Sequence, residues 1–172
     1  MLPGGTAPVE PLPPPPPIPR FEPPAGFIPP VIFPTSIDVY LTTASILLNG
    51  ENITLLTYNI SGRNFFRFRD IAYVLNGTSA QFNVAWDSAI RAVIVTPNQA
   101  YEVVGGEMEN ANAERLTATI TAIEILLDDS RLYINAYNIG GNNFVMLRGL
   151  EEYLNFNLDW DADTSTILIN TD

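Results

Sequence analysis

The sequence predicts an α+β fold of two tandem repeats, each an antiparallel β-sheet packed on one short α-helix in a ββαββ-like order, after a proline-rich extended tether. Three observations predict it. Fourteen of the 15 prolines lie within residues 1–34, which can therefore form neither a helix nor a central strand. The rest of the chain repeats itself. Within each repeat the apolar residues change from a strand period to a helical period and back.

The first segment, residues 1–36, is expected to be a polyproline-II-like tether that rises ~3.1 Å per residue. Its C-terminal part is apolar enough to dock in a partner's groove or on the edge of a sheet. The candidate docking residues are Phe27, Ile28, Val31, Ile32 and Phe33. The segment is therefore either a spacer or an arm that binds a partner, including another copy of the chain.

Two repeats follow, over residues 37–108 and 109–172, which pack either separately or as one composite domain. YNISGRNFFRFRD at residues 58–70 aligns with YNIGGNNFVMLRG at residues 137–149, and further on FNVAWD aligns with FNLDWD. The positions that both repeats share are Tyr58, Asn59, Gly62, Asn64, Phe65, Arg69, Trp86 and Asp87, matched by Tyr137, Asn138, Gly141, Asn143, Phe144, Arg148, Trp160 and Asp161. Such a duplication indicates two copies of one structural unit.

Each repeat opens with a predicted β-hairpin. In the first repeat, residues 46–48 and 53–56 flank Asn49-Gly50, a dipeptide typical of tight hairpin turns. Asp128-Asp129-Ser130 takes the place of this turn in the second repeat.

A short helix follows the repeated phrase in each copy. Its apolar stripe is Phe68, Ile71, Ala72 and Leu75 in the first repeat, and Leu147, Leu150 and Leu154 in the second. Arg69 and Arg148 lie at the start of these helices, where the helix dipole disfavours a cation. We expect each to form a salt bridge, with Asp87 and Asp161 as the partners; a clamp for an anionic ligand is the alternative.

The next strand of each repeat alternates strictly. Phe82, Val84 and Trp86 share one face in the first repeat, and Phe156, Leu158 and Trp160 share it in the second. We therefore expect both tryptophans in the core rather than at the surface, where they would stack on sugars. The better candidates for an exposed aromatic platform are Tyr73, Tyr101, Tyr133 and Tyr153.

The composition restricts the chemistry. The net charge is −11, from 19 acidic and 8 basic residues that are all Arg, so binding to nucleic acid is not expected. The chain has no His, Cys or Lys, which removes the commonest general base, thiolate nucleophiles and Schiff-base chemistry. No apolar run is long enough to span a bilayer. We predict a protein that is not an enzyme, needs no cofactor and does not insert into a membrane.

Asp159, Asp161 and Asp163 have the alternate spacing with which a calcium loop begins. Thr164 and Asn170 then stand where such a loop needs Gly and Glu, so solvated turn residues are favoured and a calcium site is the alternative. A hydrolase that relies on carboxylates alone is the least favoured function.

The repeated phrase, the helix that begins with Leu/Phe-Arg and the Trp-Asp hairpin together resemble the copper amine oxidase N-terminal-like domain, also called the stalk domain, of secreted and wall-associated bacterial proteins. The resemblance covers residues 40–172. It implies a non-catalytic extracellular module, because in the amine oxidases this domain lies away from the copper and the quinone cofactor. Copper there is held by His, which this chain lacks.

These observations predict a cell-surface module of a Gram-positive-type bacterium that acts as a structural spacer, anchor or adhesion domain and binds a protein or cell-envelope component. The N-terminus lacks the pattern of a signal peptide, so we expect the chain to be a piece of a longer exported protein. The first alternative is a subunit that assembles into a filament or layer through its N-terminal segment. The second is a module that binds peptidoglycan or another polysaccharide.

Overall fold

The computed structural model describes residues 34–109, 115–121 and 124–171. The predicted tether up to residue 33 lies outside these ranges, and so do the candidate docking residues Phe27, Ile28, Val31, Ile32 and Phe33. Within the described ranges there are 14 strands and two short helices. None of the helices described is long and apolar enough to cross a membrane.

Each repeat contributes five strands, one helix and two further strands. The first repeat consists of β1 (Ser36–Thr42), β2 (Ser45–Leu48), β3 (Glu51–Ile53), β4 (Thr57–Ile60), β5 (Arg63–Arg67), α1 (Phe68–Val74), β6 (Phe82–Asp87) and β7 (Ala92–Pro97). The second consists of β8 (Arg115–Ile120), β9 (Glu124–Leu127), β10 (Ser130–Arg131), β11 (Ala136–Ile139), β12 (Asn142–Val145), α2 (Leu147–Glu151), β13 (Asn157–Asp161) and β14 (Thr166–Asn170).

Six strands close into a barrel in the order β1-β4-β5-β12-β11-β8, three from each repeat. All neighbours in the barrel are antiparallel. The repeats meet at two seams. One joins β1 to β8, with Val39 opposite Leu116. The other joins β5 to β12, with Arg67 opposite Phe144 and Phe66 opposite Val145. Closure pairs every strand of the barrel on both sides.

The other two sheets exchange strands between the repeats. One has the order β10-β9-β7-β6 and the other the order β13-β14-β2-β3. Each joins a hairpin of one repeat to a hairpin of the other through a parallel pair, with Val93 beside Ile125 in the first sheet and Ile167 beside Ile46 in the second.

The predicted fold class is therefore wrong. The chain is mostly β, and neither repeat is a ββαββ sheet on its own helix, because all three sheets draw strands from both copies. Alternation along a strand shows which face is buried, but it does not show which strand lies alongside.

The tyrosine and phenylalanine of the repeated phrase fill the barrel. The ring of Tyr58 packs edge-on against Phe144, and that of Phe65 packs edge-on against Tyr137, with 5.2 Å between ring centroids in both pairs. All four side chains are buried. Each aromatic pair takes one ring from each repeat and so joins the two repeats.

The predicted hairpin turns are confirmed. Asn49 and Gly50 have φ of 50° and 85°, and Asp128 and Asp129 have φ of 45° and 68°, as a type I′ turn requires. Each pair links two antiparallel strands, β2 to β3 and β9 to β10.

The predicted helical stripes are also confirmed, since all seven of their apolar side chains are buried. They belong to a second apolar cluster, which joins both helices to both four-stranded sheets. Because both repeats bury apolar side chains in this cluster, it holds the starts of both helices against the sheets.

Candidate functional site

The seam between β5 and β12 positions two equivalent grooves. Because these strands run antiparallel, the turn at Gly140-Gly141, before β12, lies near the end of β5 and the start of α1. By the same geometry, the turn at Ser61-Gly62 lies near the start of α2. Each helix start of one repeat is thus bordered by the hairpin turn of the other.

The first groove, here the Trp86 groove, has a volume of about 260 Å³. The first repeat lines it with Arg67, Phe68, Arg69, Val84, Ala85, Trp86 and Val93, and the second repeat with Asn138, Gly141, Asn142 and Asn143. The groove therefore combines two aromatic side chains, Trp86 and Phe68, with Arg guanidinium and Asn amide groups, the mixture by which pockets orient polar organic ligands.

The second groove, here the Trp160 groove, has a volume of about 670 Å³. The second repeat lines it with Met146, Leu147, Arg148, Gly149, Glu152, Leu158, Asp159, Trp160 and Ile167, and the first with Gly62, Arg63, Asn64 and Phe66. Its Trp, its Arg at the helix start and its Asn are the duplicates of those in the Trp86 groove. Neither groove can form from one repeat alone.

The prediction that both tryptophans lie in the core is wrong. Trp86 is 47% exposed and Trp160 is 52% exposed. Burial declines along the predicted inner face of β6, from fully buried Phe82 through half-buried Val84 to Trp86. Since β6 and β13 are the outer strands of their sheets, the far end of this face borders a groove instead of the core.

The predicted ion pairs of the helix-start arginines are wrong. Asp87 Oδ1 accepts hydrogen bonds from the backbone N–H groups of the turn that follows it, and Asp161 Oδ1 does the same in its own turn. Arg148 pairs instead with Glu151, at 3.6 Å. Arg69 forms no salt bridge with any residue that the structure describes. It is exposed, and its guanidinium is left available to a ligand.

The shared asparagines hold the hairpin turns and face the grooves unequally. Asn59 Oδ1 accepts from the N–H of Gly62 at 3.1 Å, and Asn59 Nδ2 donates to Oδ1 of Asn64 at 3.0 Å. In the second repeat, Asn138 Oδ1 accepts from Gly141, but Oδ1 of Asn143 is buried without a hydrogen-bond partner. An unpaired buried acceptor is costly, and this one belongs to a side chain that lines the Trp86 groove.

A smaller cavity of about 180 Å³ adjoins the Trp86 groove, and Arg67, Arg69 and Asn142 line both. Its other wall is the segment of residues 101–109, which follows β7. Burial alone would raise the pKa of the Glu107 carboxyl, but the Tyr101 hydroxyl and backbone N–H groups donate to it and lower its pKa to about 2. Glu107 thus stays charged and folds its own segment beside the groove.

The structure gives the positions of the three aspartates that form the alternative calcium site. Asp159 lies on β13, Asp161 ends that strand and Asp163 lies in the turn. Hydrogen bonds from Thr164 and from the N–H of Asp163 hold the pKa of Asp161 below its usual value. No group of three or more carboxylates that could hold a metal ion occurs in the part of the chain that the structure describes.

The tyrosines predicted as an aromatic platform are scattered. Tyr133 is 82% exposed and lies under the Arg131 guanidinium, and Tyr73 and Tyr153 are partly exposed. Tyr101 is buried, which contradicts its predicted exposure. None of the four lines either groove.

Comparisons of the chain with models of protein families, with curated proteins and with solved structures found no match. The resemblance to the stalk domain therefore stays a prediction. The groove residues whose exposure sequence reasoning predicted wrongly are Trp86 and Trp160. One signal was available for them: both repeats place Trp at the end of the alternating strand, directly before the Asp that begins the turn.

Proposed function

We propose that this chain is a non-catalytic carbohydrate-binding module of the cell envelope, with two equivalent grooves that hold one polysaccharide. The observation that carries the proposal is the half-exposed Trp at the same place in each groove. Exposing such a side chain sacrifices the apolar burial that its neighbours on the same strand gain. A ligand that covers the ring restores that burial.

The chemistry around each Trp favours a sugar over an apolar ligand. One face of a pyranose ring carries C–H groups and packs flat on an aromatic ring, while its hydroxyls lie around the rim. Arg69 and Arg148 supply hydrogen-bond donors to the two grooves, and Asn143 and Asn64 are among the amide side chains that line them. This is the arrangement of a site with an apolar floor and a few polar groups that fix orientation.

The duplication supports a polymeric ligand. Both grooves belong to one compact body, whose three sheets are shared by the repeats. Two sites on one body raise the affinity for a repeating polymer by about 10²- to 10⁴-fold over a single site, provided that the polymer spans both. Binding a wall polysaccharide in this way is one route to the anchoring or adhesion expected from the sequence.

A non-catalytic role is supported by the groups that line the grooves. The Trp86 groove has no carboxylate, and the chain has no His, Cys or Lys. The carboxylates of the Trp160 groove are Glu152 and Asp159, both exposed. General acid–base catalysis of glycoside cleavage uses two carboxyl groups, one of them in surroundings that shield it from solvent, whereas both of these carboxylates face solvent.

The test is binding to insoluble cell-wall preparations and to a panel of soluble polysaccharides, followed by affinity electrophoresis. Trp86→Ala and Trp160→Ala should each weaken binding at least tenfold, and the double variant should lose it. Tyr133→Ala removes an aromatic ring that is more exposed than either Trp but lies outside both grooves, and should bind as the parent does. Retention of full binding by the double Trp variant would reject the proposal.

A further inference from the structure

The two grooves are copies of each other, but their charges differ. The Trp160 groove is lined by two Arg and two acidic residues, Glu152 and Asp159. The Trp86 groove is lined by two Arg and no acidic residue, since Tyr73 and Ala85 stand at the positions that align with Glu152 and Asp159. In a chain of net charge −11, a groove lined only by cations and neutral groups is exceptional.

One of the two arginines in the Trp86 groove is already neutralised. Arg67 Nε donates to Oδ2 of Asp70 at 2.8 Å, and both side chains are buried. Arg69 is the cation that remains, and it forms no salt bridge within the described ranges. It therefore provides a donor-rich, planar group of the kind that binds carboxylates through two parallel hydrogen bonds.

No carboxylate of the adjoining cavity forms a salt bridge with Arg69. Asp70 accepts from Arg67 and from the N–H of Met108, and Glu107 accepts from Tyr101 and two backbone N–H groups. Glu109 lines the same cavity without a salt bridge to Arg69. Hydrogen bonds thus fix the positions of Asp70 and Glu107, and Arg69 has no carboxylate partner of its own among the residues that line this cavity.

We propose that the Trp86 groove is selective for a sugar that carries a carboxylate, whereas the Trp160 groove takes a neutral sugar. This inference rests on the proposed carbohydrate-binding function and adds the ligand class of each groove. Trp86 packs on the sugar ring and Arg69 binds the carboxylate. In the Trp160 groove, Asp159 and Glu152 repel a carboxylate.

The two tryptophans are the only ones in the chain, so each groove has its own fluorescent reporter. Trp160→Phe leaves Trp86 alone, and Trp86→Phe leaves Trp160 alone. Without any ligand, iodide should quench Trp86 more strongly than caesium does, and the ratio of iodide to caesium quenching should be larger for Trp86 than for Trp160. The overall charge of the protein is the same in both variants, so a difference between the two ratios reports the charge near each Trp. Ala85→Asp should lower the ratio at Trp86, and Asp159→Ala should raise it at Trp160.

The second experiment measures the binding of galacturonan, alginate and hyaluronan oligomers, each compared with its carboxyl-reduced form. The Trp160→Phe protein should bind a carboxylated form about tenfold more tightly than its reduced form, the effect of one charge-assisted hydrogen bond. Arg69→Gln should abolish this preference. Arg91→Gln makes the same change in net charge outside both grooves and should preserve it.

The two experiments distinguish failure of the charge selectivity from failure of the proposed carbohydrate binding. Equal iodide-to-caesium ratios at the two tryptophans, or equal affinity of the Trp86 groove for carboxylated and reduced oligomers, would overturn the charge selectivity and leave carbohydrate binding in place. Failure of both single-Trp proteins to bind any oligomer, any polysaccharide of the panel or cell wall would overturn the proposed function and the inference with it.

Discussion

Arg67 and Asp70 form a buried ion pair, with Nε 2.8 Å from Oδ2, and they fasten the segment of residues 101–109, which follows β7. Arg67 Nη2 donates to the backbone carbonyl of Glu109 at 3.1 Å, and Asp70 Oδ1 accepts from the N–H of Met108 at 3.0 Å. The aligned residues of the second repeat are Met146 and Gly149. The pair is therefore specific to the wall of one groove.

Arg67→Met, which copies the second repeat, should lower the free energy of unfolding by about 3–5 kcal/mol, because it leaves the Asp70 carboxylate buried without its cation. Urea denaturation followed by circular dichroism measures this. The double variant Arg67→Met/Asp70→Ala should recover part of the loss, since it removes the uncompensated charge. A single variant as stable as the parent would show that the pair contributes nothing.

The control for this prediction is the exposed pair Arg131–Glu124, with 3.2 Å between Nη1 and Oε1. Arg131→Met should cost less than about 1 kcal/mol, because solvent screens an exposed pair. A cost as large as that at Arg67 would mean that substituting any Arg by Met destabilises this fold, independent of burial.

The Arg67–Asp70 pair also marks where sequence comparison misled. The duplication draws attention to the positions that both repeats share, and Arg67 and Asp70 are not among them. Alignment identified the shared Tyr, Phe, Gly and Asn positions correctly, since they build the barrel and its turns. It could not show that two unshared residues, Arg67 and Asp70, would be buried together, because their contacts lie with Met108 and Glu109, outside the repeated phrase.

Glu107 makes stability depend on pH at the acid end. Its pKa is about 2 in the folded chain, against an ordinary value of 4.5. A lowered pKa means that the stabilisation is complete above pH 4.5 and is lost as the pH falls from about 4.5 to about 2.

Glu107→Gln should therefore lower stability by about 1 kcal/mol at pH 7, a modest value because solvent screens this partly exposed carboxylate. At pH 2 the variant and the parent should be equally stable. Thermal unfolding at a series of pH values checks this, and parallel curves across the whole range would contradict it. Glu102→Gln, in the same segment, serves as the charge-matched control.

Tyr58 and Tyr137 are equivalent in the barrel but differ in their hydroxyls. Tyr137 donates to the carbonyl of Pro34, whereas the hydroxyl of Tyr58 is buried without a partner. Tyr137→Phe should cost about 1 kcal/mol through loss of that hydrogen bond. Tyr58→Phe should be neutral or stabilising, since it removes an unsatisfied polar group and keeps the ring against Phe144. Chemical denaturation of the two variants measures the difference, and equal losses would contradict the assignment.

The barrel itself could not be predicted from the sequence. The sequence predicted the hairpin turns and the buried faces of both helices, but it predicted no strand at β5 or β12. Each of these two short strands begins directly after a Gly and is followed at once by a helix, with Arg67 and Met146 as the last residues before the helices. Pairing across the duplication, not local propensity, makes them strands.

The exchange of strands predicts that the repeats fold only together. A fragment of residues 34–108 would lack the partners of β1, β2, β5 and β7, and a fragment of residues 109–172 would lack those of β8, β9, β12 and β14. Each would expose unpaired strand edges and half of an apolar core. We expect each fragment alone to show no cooperative thermal transition, and an equimolar mixture to regain the transition and the ellipticity of the intact chain. A cooperative transition in either fragment alone would show that one repeat is enough to form a folded structure. That result would contradict the two grooves as described, because each groove takes its Trp from one repeat and its hairpin turn from the other.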